Sequence, residues 1–153
     1  MTFIKWGNMN KYILGLALMA GLVAFTHADE FYDLPCPSYW TVESNPSVEN
    51  SLSYIHDDGN LAVTVTYVAD NAGHVGAQAY ARVAAEQLKC EMPEQSNLIE
   101  EAWSFYCADV GVEAVVYGNP GDLVLLSISG RNDDTEPELE NFIRFLADEA
   151  KRQ

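Results

Sequence analysis

From Leu61 to Ala69 the chain alternates, with Leu61, Val63, Val65 and Tyr67 on one side of an extended backbone and Ala62, Thr64 and Thr66 on the other. Successive side chains of a strand point to opposite faces, so a period of two predicts a strand with one face buried. The stretch "SLSYIH" (51–56) has the same period, setting Leu52, Tyr54 and His56 against Ser51, Ser53 and Ile55. Asp57-Asp58-Gly59-Asn60 joins the two. Asp-Gly in so short a connection predicts a hairpin, because glycine supplies the positive φ that the turn requires. Ahead of them "YWTVES" (39–44), with Trp40 and Val42 on one face, predicts a shorter first strand.

The pattern then changes. From Val75 to Cys90, "VGAQAYARVAAEQLKC", alanine dominates, which favours a helix and lets its backbone approach a sheet closely. Three more strands are predicted in "NLIEEAWSFYCA" (97–108), "GVEAVVYG" (111–118) and "DLVLLSISG" (122–130). Asn119-Pro120-Gly121-Asp122 separates the last two, with proline and glycine where a type II turn wants them. Over 136–151 the apolar residues Leu139, Phe142, Ile143, Leu146, Ala147 and Ala150 recur at helical spacing, a stripe that faces a core. Thr135 and Glu138 have the spacing of a capping box. Glu136, Glu138 and Glu140 open this helix and Lys151 and Arg152 close it, as the helix dipole favours. The order β-β-β-α-β-β-β-α predicts an α+β sandwich, a mostly antiparallel sheet with two packed helices.

The first 28 residues stand apart. Met9-Asn10-Lys11 precedes the apolar run "YILGLALMAGLVAF" (12–25), and Thr26-His27-Ala28 leads into the acidic "DEFYD". A lysine, a short apolar run and a terminal small residue predict a secretory signal peptide cleaved after Ala28; the run is short of the roughly 20 residues that span a bilayer. Met9 alone would open a complete signal. The expected mature chain, 29–153, is one domain, periplasmic or secreted, without a membrane span. Cleavage removes Lys5, Lys11 and no acidic residue, so the formal charge of −15 becomes −17. Such a chain repels phosphate and anionic lipid, which argues against nucleic acid; the charge either serves solubility in an envelope compartment or marks a cationic partner such as a basic protein face.

Catalytic chemistry has no signature here. Outside the leader only His56 and His74 remain, one at a strand end and one in a loop, so no clustered metal ligands are expected. The acidic run 133–140 lacks the spacing and glycine of a calcium loop. No nucleophile elbow, phosphate loop or dinucleotide fingerprint occurs. No catalytic residue, cofactor or metal is therefore assigned, and an enzyme is not expected. Most aromatics are read as core, with Trp103, Phe105 and Cys107 sharing the core face of one strand. Tyr106 on its other face and Tyr39 form a candidate interaction surface.

The cysteines are Cys36, between two prolines, Cys90 and Cys107. If the first helix runs back antiparallel to the third strand, its end meets the beginning of the first strand, which makes Cys36 and Cys90 neighbours. A strand of about ten residues from that end would carry Cys107 roughly 30 Å away. An exported protein meets oxidising conditions, so a Cys36–Cys90 staple is expected, with Cys107 a buried thiol.

Leu34-Pro35 followed by Trp40, the helix "AYARVAAEQL", the strands "GVEAVVY" and "LVLLSISG" and the terminal "FIRFL" resemble the PsbP-like group of small exported α+β domains. The resemblance runs along nearly the whole mature chain and leaves out the cysteines. It implies a non-enzymatic docking or accessory role and carries over no catalytic residue. The leading expectation is an exported protein-binding or accessory protein, in one form an immunity or inhibitor protein against a basic partner. The alternatives are a small-molecule or lipid-binding domain with a cleft between sheet and helix, and, third, a hydrolase.

Overall fold

Two antiparallel meanders meet along a single seam in the computed structural model, which describes residues 34–44, 48–68 and 74–152. The signal-peptide expectation for 1–28 lies outside those residues. The first meander is β1 (Trp40–Ser44), β2 (Ser51–His56) and β3 (Ala62–Tyr67), followed by α1 (Ala77–Leu88). The second is β4 (Glu94–Gln95), β5 (Trp103–Cys107), β6 (Val112–Tyr117) and β7 (Val124–Ser129), followed by α2 (Glu136–Lys151). Together they form one seven-stranded sheet in the order β1-β2-β3-β7-β6-β5-β4, antiparallel at every step. The fold is α+β, with β4 as a seventh strand beyond the six of the sequence reading.

The helices lie on opposite faces, and each reaches over to the other half of the sheet. Tyr80, Ala81, Ala84 and Ala85 of α1 are buried with Phe105, Ala114 and Val116 of β5 and β6. Leu139 and Phe142 of α2 are buried with Trp40, Tyr54, Val63 and Val65 of β1 to β3, and with Leu126 and Ile128 of β7. This crossing explains the composition of the strands. On β6, Val115 joins the α2 core while Ala114 and Val116 join the α1 core, so both faces are covered and the sequence is apolar apart from Glu113. On β2 and β3 the α2 face is apolar, and the other carries Ser51, Ser53, Thr64 and Thr66, of which Ser51 and Thr66 are buried and hydrogen-bonded to each other and Ser53 Oγ and Thr64 Oγ1 lie 3.2 Å apart.

The turns follow local chemistry. Gly59 has φ +79° in the β2–β3 hairpin, closed by His56 N–H donating to Leu61 O at 2.9 Å. Gly121 has φ +89° in the β6–β7 turn, where Asp122 N–H donates to Asn119 O at 2.8 Å. The last turn of α1 closes through Lys89, at φ 61°, and Cys90 N–H donates to Ala85 O at 2.8 Å, a left-handed stop of the kind glycine more often supplies.

Two local expectations are corrected. The stretch 97–108 is not one strand. Ser96 Oγ accepts the N–H groups of Leu98 and Ile99, Glu101 takes φ 61°, and the chain doubles back, so that Gln95 pairs with Trp103 and Glu94 with Ser104. The capping box is not formed either. Thr135 has a helical backbone, and its Oγ1 donates to Gly130 O at 2.7 Å while accepting the N–H of Asn132, so the loop out of β7 occupies the hydroxyl. The start of α2 is held instead by Arg131, whose Nη1 donates to both carboxylate oxygens of Glu113 on β6 (2.9 and 3.0 Å) and whose Nε and Nη2 donate to Glu136 (both 2.9 Å). A third arm reaches Asn97 Oδ1 at 3.1 Å and ties down the β4–β5 loop. These bonds hold the Glu136 carboxyl below its ordinary range.

Candidate functional site

Near its N-terminus α2 seats tightly. The Phe142 ring lies 4.8 Å from that of Trp40 and 4.9 Å from that of Tyr54. Farther along, the helix stands off the sheet and a cleft of about 260 Å³ opens beneath Phe145, Leu146, Glu149 and Ala150. Its floor is Leu52, Tyr54, Val65, Tyr67 and Val124, from β2, β3 and β7. Tyr117, Gly118, Asn119 and Asp122, at the end of β6 and the following turn, form one wall, and Pro35 closes another side. Gly118 makes the wall possible: it has φ +108°, and a Cβ there would run into the Asp122 carbonyl.

The lining is mostly apolar, with phenols and carboxyls as its polar parts. Tyr54 Oη donates to Pro35 O at 3.1 Å. Burial above all, then negative charge at Cys36 and at Glu149, pushes this phenol far above its usual range. Tyr117 is likewise raised by burial. Both rings therefore stay neutral at any physiological pH. Glu149 and Asp122 carry the charge at the cleft, and Glu149 Oε2 lies 3.2 Å from Arg152 Nη1, on a largely exposed side chain. No lysine, arginine or histidine is among the described residues that line it. Apolar floor, neutral phenols and carboxylates equip the cleft to hold a ligand, and among the described residues that line it there is no nucleophile with an adjacent base.

Compared with protein-family models, curated proteins and solved structures, the chain matches none.

The cysteines are not paired as the topology argument expected. Cys90 and Cys107 are bridged, with Cα atoms 4.5 Å apart, and Cys36 is a free, exposed thiol. The expectation placed α1 over the first meander, whereas it lies over β5 and β6, at the other end of the sheet. From the β1 edge, where Cys36 Sγ donates to Trp40 O at 3.2 Å, to β5 is five interstrand steps, roughly 24 Å. The β4–β5 reversal brings Cys107 back beside the end of α1, and Glu91 N–H donates to Tyr106 O at 2.9 Å. Cys107 is thus a half-buried disulfide partner packed with Trp103 and Phe105. Burial first, then the charge of Asp57, raises the Cys36 thiol, which lowers its thiolate fraction.

Tyr39 and Tyr106 are both exposed, at 74% and 44% of their surface, but the fold does not bring them together. Tyr39 precedes β1 with φ 71°, while Tyr106 lies on β5, five strands across the sheet. His56 sits between two carboxylates, with Nδ1 2.9 Å from Asp58 and Nε2 3.5 Å from Glu138, and the edge of its ring meets Trp40. His74 lies in the loop before α1. Among the described residues, no group of three or more His, Cys, Asp or Glu could hold a metal ion.

None of Glu149, Asp122, Tyr117 or Phe145 is a site residue by sequence pattern. One weak signal is that the apolar stripe of α2 ends on the small Ala147 and Ala150, which leave room beneath the end of the helix.

Proposed function

We propose that this protein is a non-catalytic binding protein of an oxidising, exported compartment, and that its site is the cleft between α2 and the sheet. The observation that carries this reading is the cleft itself, a largely apolar hollow bounded by carboxylates, with no catalytic pair among its described lining residues. Its volume lies just under the roughly 300 Å³ at which ligand sites of small molecules begin, which suits a small ligand better than a lipid. The Cys90–Cys107 bridge fits export, and among the described residues no helix is long and apolar enough to cross a membrane. An accessory role of the PsbP-like kind accords with this reading. The test is binding of a neutral apolar probe small enough for the cleft, indole, followed by amide chemical-shift mapping on the wild type and on Ala150→Phe, which fills the cleft. Binding by the wild type that the variant loses supports the site; equal binding by both, or none by either, defeats it.

A second reading, docking onto a basic protein, is favoured by the formal charge of −15 and by the exposed Tyr39. Salt-sensitive retention of poly-lysine that Ala150→Phe leaves unchanged would locate that interaction away from the cleft.

A further inference from the structure

We propose that the cleft selects a small apolar cation, an aryl- or alkylammonium of about nine non-hydrogen atoms, with its apolar body over Leu52 and Val65 and its ammonium at Glu149 and Asp122. The inference rests on the reading of the cleft as the binding site and adds the charge and size of what it holds. At about 30 Å³ per water-sized group, 260 Å³ holds roughly nine such groups. A whole lipid does not fit.

Charge comes from the lining. The only ionised side chains among the described residues bordering the cleft are the carboxylates of Glu149 and Asp122. Glu149 and Asp122 border the same hollow as the phenol rings, and burial first, then negative charge at Cys36 and at Glu149, raises the Tyr54 phenol on the floor. Burial disfavours any charge on that floor, so the ammonium is held at the two carboxylates, which repel a carboxylate ligand of the same size. Tyr54, Tyr67 and Tyr117 add ring surface, whose quadrupole attracts cations. Arg152 is the competing charge: it pairs with Glu149 at 3.2 Å, but its side chain is 72% exposed, so an ammonium in the cleft displaces a surface ion pair that contributes little.

The experiment compares three ligands of nearly equal size, 2-phenylethylammonium, 2-phenylethanol and phenylacetate, by titration calorimetry and amide chemical-shift mapping on the full chain. The ammonium is expected to bind about fivefold or more tighter than the alcohol, the ratio for a half-exposed ion pair, with phenylacetate weakest. Glu149→Gln is expected to erase most of the ammonium's advantage and leave the alcohol unchanged. Arg152→Ala frees Glu149 and is expected to strengthen ammonium binding, which a merely structural role for Glu149 would not produce. Ala150→Phe is expected to abolish binding of both. Equal affinity for the three ligands overturns the cation proposal while leaving the cleft as a site. So does ammonium binding that neither Glu149→Gln nor Asp122→Asn weakens. Binding by poly-lysine but by none of the three small ligands overturns it in favour of a basic protein partner. Binding only after deletion of residues 29–33 also overturns it, because the chain's own segment would then be the occupant. Failure of indole as well would remove the cleft reading itself.

Discussion

Cys90 and Cys107 are joined across the base of the β4–β5 reversal, 17 residues apart in sequence, and the bridge clamps the end of α1 to the edge of the sheet it covers. A cross-link closing a loop of this size stabilises by about 3 kcal/mol through the entropy it removes from the unfolded chain. Replacing both cysteines by serine is expected to lower stability by about that amount in chemical denaturation. Cys36→Ser is expected to change it little, since that thiol is exposed and unbridged. Peptide mapping without reduction checks the connectivity, and any link to Cys36 contradicts the strand order described above.

Phe142 is completely buried and contacts Trp40, Tyr54 and Phe145. Truncation to alanine removes a ring from the centre of the α2 core, and the expected cost is about 3–5 kcal/mol. Urea denaturation measures it. A loss below about 1 kcal/mol would mean that α2 does not seat on the first meander.

Gly130 ends β7 with φ +92°, and a Cβ there would collide with the Asn60 carbonyl of the β2–β3 hairpin. Gly130→Ala combines left-handed strain of about 1–2 kcal/mol with that clash, so a loss above about 2 kcal/mol is expected. Gly59→Ala is the control. Gly59 also has positive φ, at +79°, but no atom lies within 4 Å of its would-be Cβ, so only the strain is expected. Comparable melting temperatures for the two variants would contradict the close approach of Asn60 to Gly130.

Arg131 holds Glu113 and Glu136 together at 2.9 Å each. Arg131→Ala leaves two half-buried carboxylates without their partner, at a cost of about 1–2 kcal/mol once solvent screening is allowed for. The same network sets part of the acid sensitivity. Hydrogen bonds from Arg131 lower Glu136, and the His56 side chain foremost lowers Asp58. A folded carboxyl held below its unfolded value stabilises fully above the ordinary range near pH 4 and loses that contribution as pH falls through the folded value. Stability is therefore expected to fall on acidification below about pH 4.5, with a shallower fall in Arg131→Ala. Denaturation midpoints at pH 3, 4, 5 and 7 decide it; parallel profiles for the two proteins would exclude Arg131 as a source of the acid sensitivity.

Local pattern alone determined most of the elements. Alternation of apolar and hydroxyl side chains marks β2 and β3 because one face joins the α2 core and the other pairs hydroxyls across the strands, and each chain position feels that difference directly. The largely apolar "VEAVVY" reports a strand covered on both faces, and Gly59 and Gly121 sit at the positive φ values that glycine permits. The β4 strand escaped because Glu94 and Gln95 are both exposed, so no periodicity records it. Tertiary structure alone decided which half of the sheet each helix covers, since an alanine-rich face fits either meander equally well by composition. From that one crossing follow the pairing of Cys90 with Cys107, the isolation of Cys36 and the distance between Tyr39 and Tyr106. The cleft has the same origin: its lining comes from β2, β3, β6, β7 and α2, and a hollow among distant segments depends on how far one helix end stands from the sheet, a spacing that no single stretch of sequence encodes.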